Sequence, residues 1–513
     1  MSAGVTAAAS AMVCAGCGAQ APDLSGARLA DRDPSGVRLP LAGPRDRQPD
    51  HGKGGDPYPF RCSHAGQGDD VDHLMTRVLD TASTAFPRGD EPNPFVRYRQ
   101  LFHSYHVARA CGMADEDYVA LVRNLDEQVA RVDGRGFRIT TFARSAALSE
   151  RLGFTTDGGV WVKDETGNVS GSHKARHLMG IMIYLQVLER IGLVRPPLPR
   201  LAIASCGNAA LAAAVVARAA ERALQVFIPP DAPPTVVDRL AQLGAHTTVC
   251  RRDPGVPGDP CYLQFQEAVR NGALPFCCQG TANGLTIEGV ETLGYEMIDA
   301  QHVPPLDRVV IQVGGGALAS AVIQSFTEAV ALGISTRLPR FHTVQTRGAF
   351  PLTRAYERVM ERVLRTPDVA SGFNRTDDAD VASGSTPDVA SGFNRTADAD
   401  IVQRELHYAA THRSEFMWPW EEEPRSIAHG ILDDETYDWF AVIKGMLASG
   451  GGPVVVDERL LVEACALARG TKGINVDHTG AAGLAGVLQL CRDGAIAPRE
   501  NVAVIFSGVQ RGA

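Results

Sequence analysis

The chain has 513 residues, of which 44% are hydrophobic, 21% charged and 6% aromatic, a composition that excludes a fibre or a wholly disordered chain. Its most apolar stretch, Gly180 to Val194, is broken by Gln186, Glu189 and Arg190, so no membrane span is expected. The formal net charge of −9 has the wrong sign for a general grip on nucleic acid, which leaves a small molecule as the expected partner.

Residues 1–92 are rich in Gly, Pro, Ala, Asp and Arg and short of apolar periodicity, which predicts a flexible extension or a small appended module. No Lys or Arg precedes Arg28, so the basic start of a signal peptide is missing. With eleven irregularly spaced cysteines, this predicts reduced thiols and a cytoplasmic protein. Cys14 and Cys17 form a C-x-x-C pair to which Cys62 and His64 would add the other half of a zinc site. The expectation adopted is unpaired thiols and no metal.

From Asn93 the periodicity returns, and FVRYRQLFHSYHVARACG and EDYVALVRNLDEQVARV read as two amphipathic helices. Beyond them, apolar strands alternate with helices: VWVK, LAIAS, LQVFIP, HTTVC, RVVIQV, FHTVQT and NVAVIFSG are the strands. Continuous apolar strands separated by helices predict an α/β fold of open parallel sheets with helices on both faces. Two lobes are expected, at 93–305 and 306–513. The second is interrupted at 364–402 by a polar insertion in which TPDVASGFNRT occurs twice, and two copies are too few to stack as a solenoid.

Four segments carry candidate chemistry. In VWVKDETGNVSGSHKAR a strand and a polar loop lead to Lys174 at a helix start, where the positive end of the helix dipole favours an uncharged, nucleophilic amine. Only five of the 50 basic residues are lysines, so a lysine here suggests a need for an amine. In ASCGNAA, the Ser205 to Ala209 turn presents N–H groups to a carboxylate or phosphate, although an ordinary helix cap also explains it. In QVGGGALASA, the Gly314 to Leu318 turn is a phosphate cradle. It also satisfies the dinucleotide fingerprint, but the acidic residue about 20 positions on is missing. At the C-terminus a strand delivers Ser507 and Gly508 at its carboxyl end, where ligands of open α/β sheets gather.

Taken together, GSHKAR, SCGN, GGGAL and the terminal SG resemble the fold type II family of pyridoxal 5'-phosphate enzymes. Within it, NPFVRYRQLF, the KDE string before the lysine loop, SCGNAA and EGVETLGYE are most similar to the threonine synthases. The resemblance implies that Lys174 is the Schiff-base lysine and acts as the acid and base at the substrate α-carbon. It implies that Asn208 meets the pyridine 3'-oxygen and that Gly314, Gly315, Gly316, Ala317 and Leu318 hold the cofactor phosphate. Ser507 would face the pyridine nitrogen, and Ser205, Cys206, Asn208 and Ala209 would bind the substrate carboxylate. The implied reaction converts O-phosphohomoserine to threonine in a homodimer. His173 before the lysine and Ser507 at the pyridine nitrogen depart from the synthase pattern and keep a serine or threonine ammonia-lyase open. An oxidoreductase built on GGGALA, or a relative without turnover, is the reading from another class.

Overall fold

The computed structural model describes residues 9–24, 56–66, 68–252, 258–365, 397–470 and 474–511. The repeats at 366–396, Lys53 and Lys472 lie outside them. Twelve strands form three sheets among the described residues. Two of them come from the first 92 residues: β1 (Ser10–Cys14) and β2 (Met75–Leu79) pair antiparallel with Ser10 opposite Leu79. In both strands buried residues alternate with more exposed ones, the pattern of a ribbon covering a body on one face.

The larger sheet contains β3 (Phe142–Arg144), β4 (Gly159–Asp164), β9 (Arg308–Gln312), β10 (Arg340–Thr346), β11 (Gly452–Val456) and β12 (Asn501–Phe506). Its order is β11-β10-β9-β12-β4-β3, parallel except for β3 against β4. The smaller sheet, β7-β6-β5-β8, is wholly parallel and uses β5 (Leu201–Ala204), β6 (Leu224–Ile228), β7 (His246–Val249) and β8 (Leu274–Pro275). Every residue of β9 and β12 is buried, as expected of strands covered on both faces. The α/β fold is as expected, but sheet membership does not follow the expected division at residue 305. β3 and β4 join the sheet of the later strands because β12, the last strand of the chain, inserts between β9 and β4.

That insertion places three loops side by side. The carboxyl ends of β4, β12 and β9 lead respectively to the lysine loop, to Ser507 and to the glycine turn, and Phe506 lies opposite Asp164 in the register. The first predicted amphipathic helix is broken: Pro94–Arg97, a tight turn at Arg99–Leu101 and His103–Ala110 replace it, with extended backbone at Phe102. The second runs Asp115–Asp133 and ends at left-handed Gly134. No helix among the described residues is long and apolar enough to cross a membrane.

Candidate active site

The lysine helix, Lys174–Arg190, has almost every residue after Lys174 buried as far as Leu188, so its start is fixed by packing on all sides. It lies backbone to backbone against the helix Glu288–Asp299, which the sequence carries as EGVETLGYE. A Cβ at Gly180 would sit 2.7 Å from Gly289 Cα, and one at Gly289 would collide with the Arg176 carbonyl oxygen. Only two facing glycines allow that approach.

Beneath the helix start, four charges neutralise each other in full burial. Arg176 donates to both oxygens of Glu165 (2.8 and 2.9 Å), to Glu296 (2.6 Å) and to Thr292 (2.8 Å). Lys163 pairs with Glu296 and donates to the Thr140 carbonyl (2.9 Å). Burial pulls the Lys163 ammonium down, opposed by Glu296, while Arg176 holds Glu165 below the usual carboxylate range against its own burial. Two cations face two anions, so the cluster anchors the lysine loop without excess charge.

The sequence-derived candidates divide into two groups. Lys174, the glycine turn and Ser507 lie together. Ser507 is buried, and its hydroxyl accepts the His173 backbone N–H at 3.0 Å and contacts His173 Nδ1. Burial, with the positive Lys174 next to it, drives the His173 imidazole well below its ordinary range and keeps it neutral. Its Nε2 has no partner among the described residues. At the glycine turn, Gly316 is left-handed (φ +97°) and a Cβ there would meet Thr436 Cγ2 at 2.9 Å, so glycine is required. The turn carbonyls are tied down: Thr436 Oγ1 donates to Gly314 O and the Asp438 N–H to Gly315 O, both at 3.0 Å. Ala317 and Leu318 open a long helix (Ala317–Ala331), where the first N–H groups have no partner within the helix.

The second group, Ser205, Cys206, Asn208 and Ala209, follows β5 and is half-buried. Arg511 connects it to the first group: its guanidinium bonds the Asn208 side-chain oxygen and donates to the Ser170 carbonyl (2.7 Å). Two residues earlier the Val509 N–H reaches Gly171 O at 2.9 Å. The C-terminal tail thus laces the asparagine loop to the lysine loop.

Sequence reasoning missed Arg511 and the segment DDETYD. Within that segment burial pushes the Asp433 carboxyl up to about 6, held back by the charge of Lys174 and by the Gly315 N–H, and its Oδ2 lies against the turn, where a Cβ on Gly314 would collide with it. Tyr437 packs on Gly315, at 2.8 Å from where a Cβ would stand. Asp438, also facing Lys174, is raised to about 7 by burial and by Asp72. Six residues carrying four acids ahead of an apolar helix were a signal of sorts; nothing marked Arg511. Asp433 tests the cradle: the glycine turn accepts an anion, and an amine stands close by.

Burial raises the Cys277 and Cys278 thiols to about 12 and about 11, which keeps them protonated. β8 ends at Pro275, before both. Asp477 caps the helix His478–Arg492 by accepting the Gly480 N–H. Trp418 is stacked by Arg354 at 3.7 Å, with Glu421 closing the pair. Cys14, Cys17 and Cys62 do come together, but His64 is not the fourth donor. His73 is: His64 follows Cys62 closely and turns its backbone N–H toward that sulfur, whereas His73 returns with β2.

The pyridoxal-phosphate dependent enzyme family matches this chain over residues 135–412. The chain belongs to that family. Its cofactor is pyridoxal 5'-phosphate and it is a lyase. A threonine synthase of Methanosarcina acetivorans is 25% identical over 368 residues, covering 70% of this chain and 72% of the relative. A serine dehydratase-like protein of Rattus norvegicus is 29% identical over 238 residues, 46% of this chain and 64% of the relative. Among solved structures, the processed form of threonine deaminase isoform 2 from Solanum lycopersicum superposes with a TM-score of 0.50 at 17% identity, covering 78% of this chain and 91% of that chain, a likeness of fold.

Proposed function

We propose that this lyase acts as a threonine synthase, converting O-phosphohomoserine and water to threonine and phosphate. The observation that carries the reading is extent. The match to a threonine synthase spans 368 residues and most of both chains, whereas the match of higher identity, to a dehydratase-like protein, stops at 238. Arg252 supports it: burial raises the Asp434 carboxyl, next to Asp433, and the charge of Arg252 opposes that rise, and a phosphorylated substrate needs a cation of this kind.

The bound cofactor supplies an electron sink for bonds at the amino acid α-carbon. The chain's own residues hold and move the rest. Gly314 to Leu318 would hold the cofactor phosphate through backbone N–H groups, and Lys174 would carry the cofactor and move the α-proton through its amine. Asn208, with its oxygen held by Arg511, has its amide N–H₂ to donate to the ring oxygen. Ser205, Cys206, Asn208 and Ala209 bind the substrate carboxylate. Ser507 offers the ring nitrogen a neutral hydroxyl, which cannot enforce a protonated ring as a carboxylate would; this favours β-elimination and replacement over transamination. The same reading carries a homodimer in the cytoplasm, the latter supported by eleven free cysteines.

Ser507 also favours a second reading, a serine or threonine ammonia-lyase. Assaying the holoenzyme with O-phosphohomoserine, serine and threonine separates them. Phosphate release with threonine formation supports the synthase; 2-oxo acid and ammonia from serine or threonine, with O-phosphohomoserine inert, refutes it.

A further inference from the structure

The hairpin β1–β2 is a weak structure by itself. Five residues pair with five across a connection of about 60 residues, and an isolated two-stranded ribbon is marginal in water even with a tight turn. Something at its open end must hold the chain together, and the residues gathered there are Cys14, the last of β1, Cys17, Cys62 and His73, two before β2. Their ligand atoms all lie within 4.8 Å of one another.

Two of the six distances between the ligand atoms match the edges of a tetrahedral site. Cys14 Sγ is 3.4 Å from His73 Nδ1 and Cys17 Sγ is 3.6 Å from Cys62 Sγ; bonds of about 2.3 Å to sulfur and about 2.0 Å to nitrogen give edges of roughly 3.5–3.8 Å. Backbone amides already face the sulfurs, Cys17 N–H toward Cys14 (3.5 Å) and His64 N–H toward Cys62 (3.4 Å). The histidine is oriented as a ligand. Its Nε2 donates to Asp69 Oδ2 at 2.7 Å, which leaves the Nδ1 lone pair aimed at the thiols, the carboxylate–histidine pairing that supports metal-bound imidazoles. Three thiols and an imidazole with no open position suit a structural zinc ion.

We propose that Cys14, Cys17, Cys62 and His73 bind one zinc ion that clips the N-terminal hairpin onto the catalytic body. The clip bears on the cofactor site through its neighbours. Asp72 and Leu74 flank His73, and Leu74 Cδ1 and Asp438 Oδ1 both crowd the position of a Cβ on Gly280. Two residues beyond Met75, Arg77 enters the body among three glutamates.

The test is metal content of the full-length protein purified without chelator, followed by cobalt titration of the stripped chain. About one zinc per chain is expected, together with the intense near-ultraviolet band of cobalt bound by thiolates. Cys62→Ser and His73→Ala should lose the zinc and His64→Ala should keep it. Asp69→Asn should bind roughly 10- to 100-fold more weakly. Lys174→Ala should retain full zinc, which separates this claim from the catalytic one. Native protein with under a tenth of a zinc and no cobalt band overturns the proposal, as does a Cys17–Cys62 disulfide, or zinc lost in His64→Ala and kept in His73→Ala. Should Cys62→Ser fail to fold, the cobalt titration of the native chain and Asp69→Asn decide.

Discussion

One helix, Glu288–Asp299, serves two buried ionic clusters of opposite character. On the face toward the lysine helix, Thr292 and Glu296 meet Arg176 and Lys163, with Glu165 completing two cations against two anions. On the neighbouring face, one turn apart, Glu288, Glu291 and Tyr295 meet Arg77 of the N-terminal hairpin, and Glu328 joins them. There a single cation faces three carboxylates. Burial, against the pull of Arg77, raises Glu288 to about 7 and Glu291 to about 8. The first cluster fixes the Lys174 loop at any ordinary pH; the second makes the docking of the hairpin depend on protons.

The signs follow from linkage. Glu165, held below its ordinary value, contributes stability that is present above about pH 4.5 and lost only as the pH falls through its folded value. Glu288 and Glu291, held above theirs, contribute stability that is full only below about pH 4.5, declines from there and is gone once the pH has risen through 7 to 8. Between pH 5.5 and 8.5 the lysine loop should keep its protection from hydrogen exchange while β2 loses it.

The largest effect should come from Arg176→Met, which leaves Glu165 and Glu296 facing Lys163 alone. Breaking such a network costs about 3–5 kcal/mol, and urea unfolding at pH 7 reads it; a loss below about 1 kcal/mol would show that the cluster does not anchor the helix. Arg77→Met should cost as much at pH 8.5 but clearly less at pH 5.5, where the glutamates take up protons. Equal losses at both values would break the contrast. Asp433→Asn should lower the cofactor concentration for half-saturation several-fold, because a carboxylate no longer competes with phosphate for the Gly315 N–H; unchanged or weaker binding would show that Asp433 does not share the cradle. Smallest, Glu291→Gln should raise stability by about 1 kcal/mol at pH 8.5 and by less at pH 5.5, where the folded glutamate still holds its proton, flattening the pH dependence.

The candidate site was legible where local sequence carries the signal. Lys174 at a helix start, three glycines between strand and helix, and Ser507 behind an apolar strand each follow from nearest neighbours. What stayed hidden depends on contacts between distant segments. No local pattern says that β12 inserts beside β4, that Arg511 reaches Asn208, or that Asp433 enters the glycine turn. The composition of residues 1–92 concealed β1 and β2, since five-residue strands separated by some 60 positions rich in Gly, Pro and charged residues show no periodicity. His64 was the nearer histidine in sequence, whereas His73 is brought to the cysteines by the pairing of β2 with β1. The glutamates of EGVETLGYE were visible, but their partners, Arg77 and Arg176, lie more than 100 residues away.

The central claim is that Lys174, beside the glycine turn, carries the cofactor. Its most direct test is the visible absorption spectrum of the purified protein before and after borohydride, followed by peptide mapping. A visible band that borohydride abolishes, with the cofactor mass fixed on the peptide containing Lys174 and absent from Lys174→Ala, is the predicted result. A protein that stays colourless with added pyridoxal phosphate, or label on another lysine, would contradict it.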